Sequence, residues 1–186
     1  MTVFLVRRWR IAALLLLLAA IAILLAMGRS PICACGTVSL WGPVGPTQSQ
    51  MLADWYSASH LVHGLLFYAL LHLAARRMPV QLRFLIAILV EAAWEIAENT
   101  PLIIDRYREA TAALGYTGDS IVNSVSDIAM MAIGFWAARK LPVWVSVGLL
   151  LLLELIPLLA IRDNLALNIL MLVRPSEAIK AWQAGA

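Results

Sequence analysis

The sequence predicts an all-α integral membrane protein, a single-domain bundle of about five transmembrane helices. Of its 186 residues, 62% are hydrophobic and only 13% are charged, and the mean hydropathy is +0.86. A water-soluble domain is about half apolar and about a quarter charged. The apolar residues also fall into runs of about 20 residues, the length that a helix needs to cross the hydrocarbon core. Lipid is therefore the expected solvent for most of the chain.

The first predicted span covers residues 10–28 and follows three arginines, Arg7, Arg8 and Arg10. A basic flank before an apolar run also describes a secretory signal peptide, and residues 26–28 could form its cleavage site. We predict an uncleaved membrane anchor because the run is long and rich in leucine, and because the later segments are also membrane-like.

Four further spans are predicted, at residues 59–75, 79–98, 119–138 and 141–161. Residues 29–58 form an outer loop rich in Gly, Pro, Ser and Thr. This loop contains Cys33 and Cys35, for which a disulfide, another structural role and binding of a soft metal are all open. Residues 162–186 combine a short apolar stretch with a polar end, and they are expected to lie on the membrane surface.

The charges predict the orientation of the chain. Eight of the fourteen Lys and Arg residues lie on the N-terminal side of the membrane in the five-span arrangement, whereas all eleven Asp and Glu residues lie on the opposite side or in the outer half of a span. The eight are Arg7, Arg8, Arg10, Arg76, Arg77, Arg83, Arg139 and Lys140. Because basic residues are retained on the cytoplasmic side, the N-terminus is predicted to be inside and the C-terminus outside.

Imidazole and carboxyl groups gather at the outer ends of the predicted helices. His60 and His63, at the start of the second span, are spaced i, i+3 and share a helix face. Glu91, Glu95 and Glu98, at the end of the third span, follow one another at i+4 and i+7 and form a single stripe.

The fourth span adds a third polar face, with Asp119, Asn123 and Asp127 at successive steps of four residues. At about 1.5 Å rise per residue, Asp127 lies about 12 Å below Asp119, and Glu91 about 10 Å below the end of its span. Glu154 of the fifth span reaches a similar depth. Because an acid that faces lipid costs about 3 kcal/mol or more, these groups are expected to meet one another or water in a polar cleft open to the outer face.

Each of these residues also has a purely structural interpretation. Asp119 could be a helix N-cap, the two histidines could bond to backbone carbonyl groups, and Arg162 could form an ion pair with Glu154. Asn123 and the serines beside it could link helices, with Gly134 allowing a close approach. The deepest carboxyl groups are harder to explain in this way, because a buried acid is costly.

Several runs of the chain resemble the UPF0314 group, a family of uncharacterised bacterial inner-membrane proteins. The runs are PICACG, SHLVHGLLFY, EAAWEIAENTPLIIDRYREAT, GDSIVNSVSDIAMMAIGF and RDNLALNILML. More distantly, the chain resembles the VanZ-like membrane proteins, linked to glycopeptide-antibiotic tolerance, in the order of His63, Glu91 or Glu95, Arg106, Asp119, Asn123 and Gly134. It departs from them by adding a first span, the Cys-x-Cys loop and a second histidine. The resemblance implies a bacterial inner-membrane location and brings no established activity.

Together these features predict a membrane hydrolase or transferase that acts on an envelope lipid or lipid-linked substrate at the periplasmic face. A divalent cation such as Zn²⁺, Mg²⁺ or Mn²⁺ suits the mixture of imidazole and carboxylate groups. Its ligands would be His60, His63 and Glu95. The catalytic residues would be Glu91, Glu95, Asp119 and Asp127, and the residues that bind the substrate would be Arg106, Arg162 and Asn123.

Two other classes of function stay open on the sequence alone. One is the binding or transport of an ion or a lipid headgroup, and the other is a non-catalytic assembly factor of the envelope. The Glu-x-x-His, His-Glu-x-x-His and Gly-x-Ser-x-Gly motifs are absent, and nothing resembles a phosphate-binding loop or a nucleic-acid-binding surface. The sequence does not identify the substrate or the metal.

Overall fold

A computed structural model describes residues 2–45, 47–111 and 115–185 of the chain. All regular secondary structure in these ranges is helical, which confirms the predicted all-α class. The helices are α1 (Thr2–Arg7), α2 (Trp9–Ala26), α3 (Ser57–Ala74), α4 (Val80–Glu98), α5 (Pro101–Ala110), α6 (Ile121–Lys140), α7 (Val143–Ile161), α8 (Leu165–Val173) and α9 (Glu177–Gln183). A 3₁₀ turn, Gln48–Gln50, lies in the loop between α2 and α3.

Four of these helices, α2, α3, α6 and α7, are long and apolar enough to cross a membrane. They correspond to the first, second, fourth and fifth predicted spans. Helices α6 and α7 each begin two residues later than predicted, because Ser120 and Pro142 keep an extended backbone before the first turn. Helix α4 has the length of a span, 19 residues, but its charged side chains make it less apolar. The third predicted span, and with it the total of five, stays a prediction, and so does the orientation of the termini.

Two glycines bring α3 and α6 into backbone contact. A methyl group added at Gly64 would lie 2.1 Å from the carbonyl oxygen of Met131, and one added at Gly134 would lie 2.2 Å from the carbonyl oxygen of Leu61. No side chain fits between the backbones here, so the two helices approach as closely as glycine allows. The contact confirms the close approach predicted at Gly134. It also fixes the register between the histidines of α3 and the acids of α6.

An apolar core fills the half of the bundle that lies away from those histidines. Its buried members are Phe84, Ala87, Ile88, Met131 and Phe135. Trp9, at the start of α2, meets the ring of Phe84 edge-on, with 5.7 Å between the ring centroids. Helices α2 and α7 leave most of their apolar side chains exposed, which is typical of helices that contact lipid. The bundle thus has an apolar half and a polar half.

Candidate functional site

The imidazoles of His60 and His63 both meet one buried carboxylate, that of Glu91. Nδ1 of His60 lies 2.6 Å from Oε1 of Glu91, and Nδ1 of His63 lies 3.1 Å from its Oε2. Glu91 itself is 0% exposed. Because an ionised carboxylate only accepts hydrogen bonds, each Nδ1 carries a proton, and Nε2 of a neutral ring keeps its lone pair. The predicted common face of the two histidines is confirmed, and Glu91 orients both rings.

Glu95 lies one helical turn beyond Glu91 in a different environment. Its side chain is 1% exposed, and Nδ1 of His60 lies 3.5 Å from its Oε1. Neither carboxylate oxygen accepts a hydrogen bond from the part of the chain that the structure describes. A buried carboxylate without donors is costly. Glu95 therefore needs a proton, a water molecule or a cation that the protein itself does not supply.

Helix α6 contributes Asn123 and Asp127, and the segment just before it contributes Asp119; all three line one cavity together with His60. Oδ2 of Asp127 lies 3.8 Å from Nε2 of His60, and Oδ1 accepts a hydrogen bond from the hydroxyl of Ser57 at 3.3 Å. The polar faces predicted on the second and fourth spans therefore do meet.

Asp119 is not the N-cap of α6, the structural role that the sequence allowed for it. The cap is Ser120, whose Oγ accepts a hydrogen bond from the backbone N–H of Asn123 at 3.2 Å. The Asp119 carboxylate instead accepts hydrogen bonds from Nδ2 of Asn99 at 2.7 Å and from the hydroxyl of Tyr116 at 3.0 Å. Burial raises the pKa of Asp119 to about 6, and these two hydrogen bonds act in the opposite direction. The carboxylate thus faces the cavity and not the helix end.

The loop between α2 and α3 docks on the first turn of α6. The backbone N–H groups of Ile121 and Val122 donate to the carbonyl oxygens of Ser30 and Pro31 at 2.9 and 3.1 Å. These are two of the amides that a helix start leaves unpaired. The loop therefore completes the helix that carries one side of the cleft.

Cys33 and Cys35 follow this contact and form a disulfide. This is one of the states that the sequence left open for the pair. Cys33 is buried, and the backbone N–H of Cys35 donates to its sulfur at 3.1 Å. Both sulfurs are committed to the disulfide, so a soft-metal site here would require its reduction.

Asn123→Ala is expected to loosen this loop. Nδ2 of Asn123 donates to the carbonyl oxygen of Met51 at 3.0 Å, and truncation leaves that carbonyl group unpaired at a cost of about 1–3 kcal/mol. Limited proteolysis in detergent should cut within residues 29–56 faster than in the wild type. Ser126→Ala, at a half-buried position of the same helix, is the control. Equal cleavage of the two variants would contradict the role of Asn123, whose binding of substrate stays a prediction.

The segment after α7 forms another wall of the cleft. The hydroxyl of Tyr56 donates to Oδ2 of Asp163 at 2.8 Å, and the hydroxyl of Tyr107 donates to Oδ1 of Asn168 at 3.0 Å. Burial, and then the negative charge of Asp163, raise the pKa of Tyr56 well above its usual value. Tyr56 therefore remains a hydrogen-bond donor, and the C-terminal segment is tied to the start of α3.

Glu154 does not join the acidic cluster, although its depth along α7 predicts that it would. Its carboxylate accepts hydrogen bonds from the backbone N–H groups of Leu165 and Ala166 at 3.3 and 3.1 Å, at the start of α8. Arg162 donates instead to the carbonyl oxygen of Trp182 at 2.8 Å. The ion pair that the sequence allowed between Arg162 and Glu154 does not form within the described residues.

The two arginines predicted to bind substrate are not part of the cavity wall, as far as the described residues define it. Nε of Arg106 donates to the carbonyl oxygen of Leu172 at 2.9 Å, and Arg162 faces the C-terminal helix. Lys180, which the sequence pattern did not mark, does line the cavity, and its ammonium group donates to the carbonyl oxygen of Glu109. Binding of substrate by the two arginines stays a prediction.

The cavity has a volume of about 660 Å³, within the range of small-molecule sites. Its acidic lining residues are Asp54, Glu98, Asp119, Asp127 and Asp163. Within the described residues, none of these carboxyl groups lies at ion-pair distance from an Arg or Lys side chain. Glu91 and Glu95 lie buried behind this wall. The site therefore carries an excess of acidic groups that protons or cations must balance.

Several residues around the cavity have no counterpart in the sequence prediction. They are Asp54, Tyr56, Asn99, Tyr107 and Tyr116, all in loops, at a helix end or in a short helix. The spacing of Asp54 and Ser57 could have marked Asp54. The backbone N–H of Asp54 donates to Oγ of Ser57, and the backbone N–H of Ser57 donates to Oδ1 of Asp54. This spacing of three is typical of a capping box at a helix start. The tyrosines carry no comparable local signal.

A family model described as "Protein of unknown function (DUF2585)" matches residues 24–185. The chain belongs to this family. UPF0314 proteins are among its relatives, so the predicted membership of that group is confirmed. The matched range includes every side chain of the cleft described above. The family description assigns no activity.

Three relatives show how much of the chain is shared. A UPF0314 protein of Sphingopyxis alaskensis is 56% identical over 95% of both chains. One of Agrobacterium fabrum is 53% identical over 95% of this chain and 90% of its own, and one of Rhizobium johnstonii is 51% identical over 95% and 92%. No solved structure matches the chain. The distant resemblance to VanZ-like proteins stays a prediction.

Proposed function

We propose that the protein is a divalent-cation-dependent hydrolase or transferase of a bacterial inner membrane, acting on an envelope lipid or lipid-linked substrate at the periplasmic face. The observation that carries this proposal is the position of Glu95. One ligand atom each from His60, Glu95 and Asp127 lies within 4.8 Å of the others, and neither Glu95 oxygen has a hydrogen-bond donor among the residues that the structure describes. Imidazole and carboxylate groups are suitable ligands for Zn²⁺ and Mn²⁺.

Glu91 would position His60 for this role. A histidine that binds a metal usually donates its other ring N–H to a carboxylate, which fixes the tautomer and the ring orientation. The 2.6 Å contact between Nδ1 of His60 and Glu91 matches that arrangement, and Nε2 is the ring nitrogen near Asp127. His63 shares the same carboxylate, so it supplies a second oriented imidazole for a proton or a ligand.

A cation at this position would supply a nucleophile. A bound divalent cation can lower the pKa of its water ligand to about 7, far below that of bulk water. The resulting hydroxide could attack an ester or phosphoester of the substrate, and the bond to the leaving group would break. The imidazole of His63, which also lines the cavity, could give the leaving group its proton.

The cavity suits a substrate that joins a polar group to an apolar one. Beside its carboxyl groups, it is lined by the apolar side chains of Trp94, Ile161, Leu165 and Ile169. Helices α3 and α6 both begin at the cavity and continue away from it as candidate spans. This arrangement favours a position at one membrane surface, where a lipid headgroup meets its acyl chains.

Binding without catalysis is the second candidate function. The surplus of carboxyl groups over basic groups around the cavity favours a cation or a cationic headgroup as ligand, and such binding needs no chemical step. Incubation of the purified protein with a native lipid extract separates the two candidates. Release of a water-soluble headgroup supports the enzyme, and retention of intact lipid supports the binding protein.

His60→Ala and Asp127→Asn are each expected to lower the metal content of the purified protein by at least about tenfold, because each removes one ligand. Inductively coupled plasma mass spectrometry measures the content. The matched control is Asp105→Asn, an exposed acid on α5, which should keep the wild-type content. Headgroup release should fall in step with the metal. A metal-free wild-type protein with full activity, or a His60→Ala variant with the wild-type content, would contradict the proposal.

A further inference from the structure

A second group of carboxyl groups lies next to the proposed cation site. One ligand atom each from Glu95, Glu98 and Asp119 lies within 4.8 Å of the others. Glu95 therefore belongs to this group as well as to the group that contains His60 and Asp127. Both of its oxygens are buried and lack hydrogen-bond donors within the described residues. A carboxylate in this state can present one oxygen to each group.

We infer that the cleft binds a second divalent cation, held by Glu95, Glu98 and Asp119, with the Glu95 carboxylate bridging to the cation proposed above. The inference deepens the proposed function and rests on it, because the two sites share this ligand. Paired metal ions in enzymes that cleave phosphate esters lie about 3.5–4 Å apart. A single carboxylate can bridge that distance with its two oxygens.

The charges of the cluster favour two cations over one. The two groups together contain four carboxyl groups, of Glu95, Glu98, Asp119 and Asp127, and one imidazole. Among the described residues no Arg or Lys side chain forms an ion pair with any of them. One divalent cation would balance half of the negative charge of the ionised groups, and two would balance all of it. An unbalanced charge in a buried site is strongly unfavourable.

Asn99 holds two of the proposed ligands in place. Its Nδ2 donates to Oδ2 of Asp119 at 2.7 Å and to the backbone carbonyl oxygen of Glu95 at 2.9 Å, and its Oδ1 accepts from the N–H of Asp119 at 2.7 Å. A carboxylate has about four lone-pair positions. The hydrogen bonds from Asn99 and Tyr116 therefore leave positions of the Asp119 carboxylate for a cation. Neighbours that orient ligands in this way are typical of metal sites.

Mn²⁺ binding to the purified full chain in detergent tests the inference. Equilibrium dialysis should give about two ions per chain for the wild type and about one for Glu98→Gln, because Glu98 belongs only to the second group. Glu109→Gln, an exposed glutamate on α5, is the matched control and should bind as the wild type does. Electron paramagnetic resonance of the saturated wild type should show a magnetically coupled Mn²⁺ pair, and Glu98→Gln should lose it.

The outcomes distinguish this inference from the proposed function. About one ion per chain in both the wild type and Glu98→Gln would overturn the second site and leave the first standing. An unchanged pair in Glu98→Gln would also overturn the second site, and an absence of binding to the wild type would overturn both proposals. Thermal unfolding shows whether Glu98→Gln is folded. If it is not, Asp119→Asn, which keeps the shape of the side chain, should show the same halved binding.

Discussion

Gly64→Ala is expected to prevent the bundle from folding. A methyl group at this position would lie 2.1 Å from the carbonyl oxygen of Met131 and 2.5 Å from the backbone nitrogen of Phe135. Both atoms belong to the backbone of α6, so no side chain can rotate away and the two helices must separate. We expect the free energy of unfolding to fall by more than about 3 kcal/mol. Titration with SDS of the protein in mixed micelles measures this change.

Gly148→Ala is the control for that experiment. A methyl group at Gly148 of α7 would meet no atom within 4 Å among the described residues, apart from the adjacent backbone of its own helix. Alanine also favours a helix over glycine by up to about 1 kcal/mol, so this variant should be as stable as the wild type or slightly more so. If Gly64→Ala unfolded at the same SDS fraction as Gly148→Ala, helices α3 and α6 would not cross at Gly64.

Asn99→Asp is expected to have the second-largest effect, because it places a second carboxylate against Asp119. The donor that now lies 2.7 Å from Oδ2 of Asp119 becomes an oxygen, and the backbone carbonyl group of Glu95 loses a donor. The cost of an uncompensated buried charge is about 3–5 kcal/mol. Asn99→Ala loses the same hydrogen bonds without adding a charge, so we expect it to cost less. Chemical denaturation of the metal-free proteins compares the two.

A control with the same change of charge is available on the same helix. Gln81→Glu, in the first turn of α4 and away from the acidic cluster, converts an amide to a carboxylate without a second acid beside it. It should leave the stability within about 0.5 kcal/mol of the wild type, as surface substitutions usually do. If Asn99→Asp and Gln81→Glu were equally stable, the contact between Asn99 and Asp119 would not be needed for the fold.

Helical periodicity predicted the faces of this site well. The spacing of His60 and His63 places both rings on one side of α3, and the spacing of Glu91 and Glu95 places both carboxyl groups on one side of α4. The cost of an acid in hydrocarbon then requires these faces to meet. That these faces meet therefore followed from local geometry and a solvation argument. The partner did not follow, because the sequence analysis grouped the two histidines with Glu95 and the structure places both on Glu91.

Glu154 shows where the same reasoning fails. The rise along a helix gives the depth of a side chain but not the direction in which the helix turns that side chain. Helix α7 turns Glu154 toward the start of α8, where backbone N–H groups satisfy it. Asn99 and Tyr107 could not be placed for a related reason. They lie at a helix end and in a short helix, where the path of the chain, and not a repeating pattern, decides what a residue contacts.

The docking of the outer loop on α6 has a consequence for biogenesis. The carbonyl groups of Ser30 and Pro31 precede α3 in the chain, whereas the N–H groups that they satisfy begin α6. The loop must therefore wait for three intervening helices, α3, α4 and α5, to be synthesised before it finds its partners. Asp163 and Lys180, which also line the cavity, follow α6 and are synthesised later still. The cleft can thus be completed only late in synthesis, after α6 and the segment that follows α7 have been made.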